Sequence, residues 1–191
     1  MTGTIKSSTP VRSAPDRVRR APNFRDRIEY LAAAGVLRFL GILPRWLACG
    51  FCEVLALGSY YLWPRLSTVG LFNLRLAFPE WSERERRRVL LRTFRNLGRM
   101  LADFASFPRL KGSNIERLIV YDGFEHYAQA RDQGRGVIFL TGHFGNWELS
   151  SFAHSLYGYP LNFTVRQMDN PLLDALITQY RTLSGGRPVE K

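Results

Sequence analysis

The sequence TGHFGNWEL, residues 141–149, is the stretch from which both the fold and a functional site can be inferred. It follows an apolar, β-prone run at residues 136–140, and a helical pattern begins at about Asn146. His143 is therefore predicted where a buried strand turns into a helix, with Glu148 in the first turn of that helix. In open α/β sheets, ligand sites collect outside the carboxyl ends of the strands, where helix N-termini also point. His143 is the leading candidate for chemistry.

The residue types around His143 suit proton transfer. A histidine titrates close to neutral pH and can take a proton from a hydroxyl group. The Glu148 carboxylate could accept a hydrogen bond from its other ring nitrogen and so fix the tautomer. Gly142 and Gly145 would let a ligand approach the backbone closely, and free amides at the helix N-terminus could hold an oxyanion or a phosphate. A purely structural histidine at a strand end remains an alternative.

Other chemistry is less well supported. A metal site would combine His143 and Glu148 with His154, but their spacing does not match that of common metal ligands, and no metal is expected. The chain has no G-x-S-x-G sequence, which argues against a serine nucleophile. His126 and His154 are interpreted as surface or half-buried helix residues.

The charge of the chain indicates an anionic neighbour. Lysine and arginine number 27 against 16 acidic residues over 191 residues, a net charge of +11. Nucleic acid, an anionic membrane and a phosphorylated substrate would each suit such a balance. Nucleic acid fits least, because no stacking platform or binding motif accompanies the charge.

Cys49 and Cys52 form a C-x-x-C inside an apolar stretch, where cysteine usually serves as a small hydrophobe.

The first third of the chain is predicted to associate with a membrane. Residues 1–24 read as a disordered basic tail, and residues 25–66 as a membrane-associated helical region. This region contains two apolar segments, residues 28–43 and 46–63, and the second would span about 27 Å as a helix. Glu53 in its middle argues against a simple span and favours interfacial attachment. An ordinary buried helical hairpin is the alternative.

An α/β domain is predicted for residues 67–191. Its first helix covers residues 82–107, where Ser82 and Glu85 form a capping box. Leucines and phenylalanines follow one face of this helix and arginines the other. The apolar set is Leu90, Phe94, Leu97, Leu101 and Phe104, and the basic set is Arg84, Arg88, Arg92, Arg95 and Arg99. The basic face is either simply solvated or directed at phosphates of lipid or substrate.

Strands and helices then alternate, which predicts right-handed crossovers and a parallel sheet. The predicted strands are residues 117–121, 136–141 and 161–166, with another beginning at 187–190. The predicted helices are residues 123–133, 146–157 and 170–184, the last with Asn170 at the N-cap and Pro171 at its first position.

Three sequence blocks resemble one family. They are NLRLAFPE at residues 73–80, GVIFLTGHFGNWEL at 136–149 and RQMDNPLLD at 166–174. Together they are similar to the signature of bacterial lipid A biosynthesis acyltransferases of the lauroyl and myristoyl type, which carry an H-x-x-x-x-D/E motif. The resemblance extends over residues 26–191.

The resemblance implies an O-acyltransferase with a glycerolipid acyltransferase-like α/β fold. Such an enzyme moves a fatty acyl chain from an acyl carrier protein or CoA thioester to a hydroxyl of a phosphorylated lipid A precursor, without a cofactor. It implies His143 as general base and Glu148 as its orienting partner. Arg166 would bind the acceptor or stabilise charge, and Asn146, Gly142 and Gly145 would contribute to substrate binding.

The resemblance also implies a location at the cytoplasmic face of the cell inner membrane. Family members are longer than this chain, so the sequence is expected to be truncated at its C-terminus and its sheet to be incomplete. Two alternatives follow: an inactive membrane-associated fragment, or a basic module that binds anionic lipid or nucleic acid. Phosphatidylinositol mannoside is an alternative acceptor.

Overall fold

A computed structural model of the protein describes residues 20–190, in which eight α-helices, one short 3₁₀ helix and two strands form. The helices are α1 (Phe24–Ile42), α2 (Arg45–Leu62), α3 (Pro64–Ala77), α4 (Glu83–Ala105), α5 (Gly112–Ile115), α6 (Phe124–Asp132), α7 (Trp147–Leu156) and α8 (Pro171–Thr182). The 3₁₀ helix is Phe107–Arg109, and the strands are β1 (Asn162–Val165) and β2 (Arg187–Glu190).

The N-terminal helices follow local sequence signals. Asn23 and Asp26 form a reciprocal capping box at the start of α1, and Pro44 separates α1 from α2. Both helices predicted here are confirmed, with α1 beginning four residues earlier than expected. Helix α3 was not predicted; it begins directly at Pro64, whose fixed φ suits the first helical position.

Helix α4 packs along α2 at very short range. The predicted capping box is confirmed, since the Ser82 side chain accepts from the Glu85 amide. Gly98 makes the close approach possible, because a Cβ there would lie 2.5 Å from the carbonyl oxygen of Cys52. The predicted apolar face is only partly right: Leu97 and Leu101 are about half exposed. The buried face turns instead toward the small residues of the contact with α2.

One hydrophobic core draws on both halves of the chain. Its buried members are Ala34, Leu37, Leu40, Ala48, Cys52, Ala102, Phe104, Ala105, Phe107, Ile115, Leu149, Phe152, Ala153 and Leu176. At its centre the Phe107 ring stacks on Phe152, with 4.0 Å between centroids, and Phe104 stacks on Tyr180 at 5.4 Å. The N-terminal helices and α7 and α8 are thus held against the same residues.

The sheet is smaller than predicted. Strands β1 and β2 pair in parallel, with Asn162 opposite Arg187 and Val165 opposite Glu190. These two predicted strands, and α8 with its Asn170 cap, are confirmed. The parallel sheet of the predicted α/β fold is therefore reduced to two strands in a mostly helical protein.

Two predicted strands do not form. In residues 117–121 the backbone turns back on α5 instead: the amides of Leu118 and Ile119 both donate to the Ile115 carbonyl. Residues 136–141 are irregular, and Leu140 is fully exposed. A strand is stabilised by a ladder of hydrogen bonds to a neighbouring strand. In the described residues β1 and β2 form such a ladder with each other, and residues 117–121 and 136–141 do not join it.

The structure changes the interpretation of the charged residues in the first third of the chain. Within residues 20–190, no helix combines the length and apolar character that a bilayer crossing requires. Glu53, which argued against a span, forms ion pairs with Arg95 and Arg99 of α4, the first at 2.9 Å. These two arginines therefore do not belong to an unpaired basic face. Most of the tail predicted for residues 1–24 lies outside the described residues.

Candidate functional site

The TGHFGNWEL segment forms an irregular turn that leads into α7. Asn146 is the N-cap: its Oδ1 accepts a hydrogen bond from the Leu149 amide at 3.1 Å. Gly145 has φ +60°, a left-handed conformation that favours glycine. A Cβ at Gly142 would meet nothing within 4 Å, so the backbone there borders open space. The turn is therefore accessible to a ligand at the N-terminus of a helix.

His143 lies exposed on this turn. Its ring meets the Trp147 ring edge-to-face, with 4.7 Å between centroids. This contact orients the imidazole across the first residue of α7 and leaves the side chain open to solvent.

Glu148 does not hold His143 as the sequence suggested. Its carboxylate accepts two hydrogen bonds from the Arg181 guanidinium of α8, one of them from Nε to Oε2 at 2.9 Å. Glu148 is 17% exposed and Arg181 28%, so the pair lies at the edge of the core. The helix geometry explains the difference: Glu148 is in the first turn of α7 and faces α8, where a charge-assisted, two-pronged partner is available. The structure thus brings Glu148 to Arg181.

Asn146 is held from the other side by an ion pair whose carboxylate is buried and whose arginine is half exposed. The Asp103 carboxylate of α4, 4% exposed, accepts from Asn146 Nδ2 at 3.0 Å. It also accepts from Arg45 of α2, through Nε at 2.8 Å and Nη2 at 3.2 Å. The hydrogen bond with Asp103 raises the pKa of the Arg45 guanidinium further, so the arginine stays charged. Asn146 is thus a helix cap attached to the core, a more structural role than the predicted substrate contact.

In the RQMDNPLLD block Arg166, Met168 and Asp169 are exposed, whereas Asn170 and Asp174 have structural roles. Arg166 follows β1 directly, at the carboxyl end of the strand, and is exposed to solvent. Asn170 is buried and caps α8. Asp174 accepts a hydrogen bond from the Met168 amide at 3.0 Å and so closes the loop between β1 and α8. Of the exposed residues of this block, Arg166 is the one that carries a positive charge.

The other two histidines have separate surroundings. His126 is exposed on α6, as predicted. His154 is buried among aromatic rings, more deeply than predicted, and its Nδ1 shares a hydrogen bond with the Tyr121 hydroxyl. Burial lowers the pKa of His154. Among residues 20–190, no group of three or more histidine, cysteine or acidic side chains could hold a metal ion.

Three residues of the site were missed in the sequence. Arg45, Asp103 and Arg181 reach the turn from α2, α4 and α8, all distant in sequence. Only Asp103 carried a signal, as a lone acidic residue inside the apolar stretch MLADFASF. An ionisable residue on a buried helix face must have a partner, although the sequence does not say which.

These features describe a protein of mixed α and β structure with a histidine, a carboxylate and arginines around the N-terminus of one helix. The model of the family described as "Bacterial lipid A biosynthesis acyltransferase" matches residues 18–191. The chain therefore belongs to that family, as the three sequence blocks indicated.

Individual relatives are similar over part of their length. The lipid A biosynthesis lauroyltransferase of Escherichia coli is 32% identical over 112 residues, 59% of this chain and 36% of the relative. The E. coli palmitoleoyltransferase is 26% identical over 151 residues, 76% of this chain and 49% of the relative. A lipid A biosynthesis acyltransferase of Haemophilus influenzae is 25% identical over 115 residues, 60% of this chain and 36% of the relative.

The chain thus spans between about a third and a half of the length of these curated relatives. No solved structure is significantly similar to it.

Proposed function

We propose that this protein takes part in O-acyl transfer to a lipid A precursor or a related glycolipid. The observation that carries the proposal is the turn before α7, where the family's histidine motif leaves His143 exposed beside open backbone at Gly142. The family membership of residues 18–191 supports the reaction class.

In the proposed reaction, His143 acts as general base. It takes the proton from an acceptor hydroxyl as that oxygen attacks the carbonyl carbon of an acyl thioester. The new ester C–O bond forms, the C–S bond breaks, and the thiolate leaves and takes up a proton. Free amides at the start of α7 would face the developing oxyanion, a role that suits a helix N-terminus. No metal or other cofactor enters this scheme.

Glu148 has a defined place in the scheme although its present partner is Arg181. Glu148 lies in the first turn of α7, Arg181 contacts it from α8, and the Glu148 carboxylate is only partly buried. A rotation of the Glu148 side chain away from Arg181 would make it available to orient the imidazole. The His143–Glu148 dyad is therefore proposed for the substrate-bound state.

Arg166 is proposed to bind the acceptor. It is exposed at the carboxyl end of β1, and a guanidinium suits a phosphorylated sugar because it binds phosphate oxygens in a two-pronged manner. A lipid A precursor and a phosphatidylinositol mannoside both carry phosphate, so an assay is needed to tell which of them is the acceptor. An assay is also needed to tell whether the donor is an acyl carrier protein thioester or acyl-CoA.

The test is acyl transfer by the purified chain in detergent-lipid micelles. Each donor would be offered with each acceptor, and the wild type compared with H143A, E148A and R166A. We expect transfer in the wild type, loss of about 100-fold or more in kcat in H143A, and a raised acceptor KM in R166A. H126A is the matched control, since His126 is exposed on α6. Equal turnover in the wild type and H143A, or no transfer by the wild type with any pair, would contradict the proposal.

We also propose that the N-terminal helices attach the protein to a membrane, at the cytoplasmic face of the inner membrane. Large apolar side chains are exposed along α1, α2 and α3. They include Leu31, Phe39, Ile42, Trp46, Val54, Leu62, Trp63, Val69, Phe72 and Leu76. So much exposed apolar surface on adjacent helices is typical of an interaction site, and tryptophans favour the membrane interface.

An arginine stripe on α4 supports the same proposal. Arg84, Arg88 and Arg92 are exposed at four-residue spacing and make no ion pair within residues 20–190. They line an open groove of about 690 Å³. Each arginine near an anionic surface contributes about 1 kcal/mol to binding. An anionic-lipid-binding module without turnover is the second candidate function, which these helices alone would support.

Vesicle flotation tests membrane attachment independently of turnover. The chain should float with phosphatidylglycerol vesicles, and less with phosphatidylcholine vesicles. The triple variant R84Q/R88Q/R92Q should lose most of this preference, whereas H143A should keep it. If the triple variant binds both vesicle types as the wild type does, the stripe has no part in attachment. If the wild type remains unbound in both, the membrane proposal fails.

A further inference from the structure

Asp103 is a carboxylate buried in the hydrophobic core, and such a group is costly unless its oxygens are fully engaged. It lies in the last turn of α4, four positions before Phe107, the first residue of the 3₁₀ helix, and is 4% exposed. Both oxygens have partners: Oδ1 accepts from Arg45, and Oδ2 accepts from Arg45 and Asn146. The charge is thus balanced by α2, and one hydrogen bond remains for the motif turn.

Asn146 makes two hydrogen bonds that together fix its amide. Nδ2 donates to Asp103, and Oδ1 accepts from the Leu149 amide. Serine, threonine or aspartate would cap a helix as well as asparagine does. Aspartate offers no donor when ionised, and serine or threonine would have to accept and donate through one oxygen atom; only asparagine carries an acceptor and an N–H donor on two separate atoms. The choice of asparagine is therefore explained by Asp103 rather than by the cap alone.

Fixing Asn146 also restrains the segment before it. His143 is three residues away, and Gly145 between them has φ +60°, so the turn has a single defined bend before α7. The His143 ring then rests against Trp147, the residue after Asn146. A displacement of Asn146 would move both the backbone and the ring contact that place the imidazole.

We propose that Arg45, Asp103 and Asn146 form a positioning relay for His143. Through this relay, α2 and α4, which carry the proposed membrane-facing surfaces, also set the geometry of the reactive turn. The assignment of His143 as a base rests on the proposed function; the restraint on its position does not. Arg45 and Asp103 touch no reacting atom in this scheme and act through Asn146.

The decisive variant is N146S, which keeps an N-cap oxygen but removes the amide N–H that donates to Asp103. D103N is the second variant, and N96S is the matched control, because Asn96 is an exposed asparagine on α4. The chain contains three histidines, so their ring resonances can be assigned by NMR with H126Q and H143Q. We expect the His143 resonance to shift or broaden in N146S and D103N, while the His126 resonance and all those of N96S stay in place.

In the acyl-transfer assay, we expect N146S to lose about 10- to 100-fold in kcat, with acceptor KM within about twofold of the wild type. A merely structural cap would predict rescue by serine, with wild-type kcat. Should D103N fail to fold, N146S still decides the question. An unchanged His143 resonance in N146S overturns the relay whether or not the wild type is active. An inactive wild type with a shifted resonance overturns only the proposed reaction and supports the relay.

Discussion

Glu148 and Arg181 form a two-pronged ion pair that joins the first turn of α7 to the last turn of α8. The carboxylate expected to face His143 is thereby engaged with a residue 33 positions later in the chain. The pair connects the histidine motif to the helix that begins in the RQMDNPLLD block. Arg181 lies seven residues beyond that block, so the contact links the histidine motif to the far end of the helix rather than to the block itself.

Removal of Arg181 should destabilise the protein. In R181A the Glu148 carboxylate would remain partly buried without its two donors, which costs about 1 to 2 kcal/mol in the free energy of unfolding. Urea denaturation followed by circular dichroism would measure the change. R117A, an exposed arginine outside this contact, should change stability by no more than about 0.5 kcal/mol. A double-mutant cycle of R181A with E148Q that gives no coupling would show that the ion pair is not formed in solution.

The contact of α2 with α4 makes a second prediction. G98A would place a Cβ 2.5 Å from the Cys52 carbonyl oxygen, and backbone cannot move aside as a side chain can. We expect a loss of about 1 to 3 kcal/mol from this overpacking. The matched control is G50A on α2, where the added Cβ meets nothing within 4 Å. That change should leave stability unchanged or raise it by about 0.5 to 1 kcal/mol, because alanine favours helix.

The two glycine variants would be compared by thermal unfolding under identical conditions. If G98A is as stable as G50A, α2 and α4 lie farther apart in solution than in this structure.

What could be predicted from sequence is what short-range chemistry determines. The Ser82 and Glu85 capping box starts α4 as expected, and Asn170 with Pro171 starts α8. Each of these signals acts within three residues of the helix end, so the sequence contains all of it. Position 143 was likewise placed correctly before a helix N-terminus, because glycines and an asparagine cap mark that boundary.

What could not be predicted depends on partners far away in the chain. Residues 136–141 have the composition of a buried strand, but a strand requires neighbours, and composition does not supply them. The side-chain direction of Glu148 was decided by Arg181, and that of Asn146 by Asp103, across 33 and 43 residues. Periodicity places a residue on an element but does not identify what faces it.

Asn170 should be among the most sensitive polar residues of the protein. Its Oδ1 accepts from the Leu172 and Leu173 amides, and its Nδ2 donates to the Asp26 carbonyl and to Glu29. N170A would remove the cap of α8 and its attachment to α1, at a cost of about 2 to 3 kcal/mol.

Chemical denaturation would again give the value for N170A. N73A is the matched control, because Asn73 is exposed on α3 and alanine is the better helix former. N170D should be no more stable than N170A, since it keeps the cap but loses both donated bonds and brings a second carboxylate against Glu29. A cost for N170A as small as that of the control would mean that α1 and α8 are not joined at this point.

His154 should make stability depend on pH. Its pKa is lowered in the folded protein by burial among the rings of Tyr121, Tyr127, Phe139 and Tyr159, so the unfolded chain binds the proton more readily. The free energy of unfolding therefore rises with pH up to the ordinary histidine value of about 6.5, and falls as the pH drops below that value. Carboxylates such as Glu53, whose pKa is lowered by Arg99 and Arg95, lose their contribution only at more acidic pH.

Urea midpoints measured between about pH 5 and pH 7.5 would test this dependence. H154Q should be less stable than the wild type but show a flatter pH profile, because the buried titrating group is gone. H126Q should keep the wild-type profile, since that histidine is 80% exposed. An equally steep profile in H154Q would assign the effect to another group. Stability that falls with rising pH would mean that His154 is charged in the folded state. That outcome would contradict the structure, in which the buried Nε2 of His154 has no hydrogen-bond partner among residues 20–190.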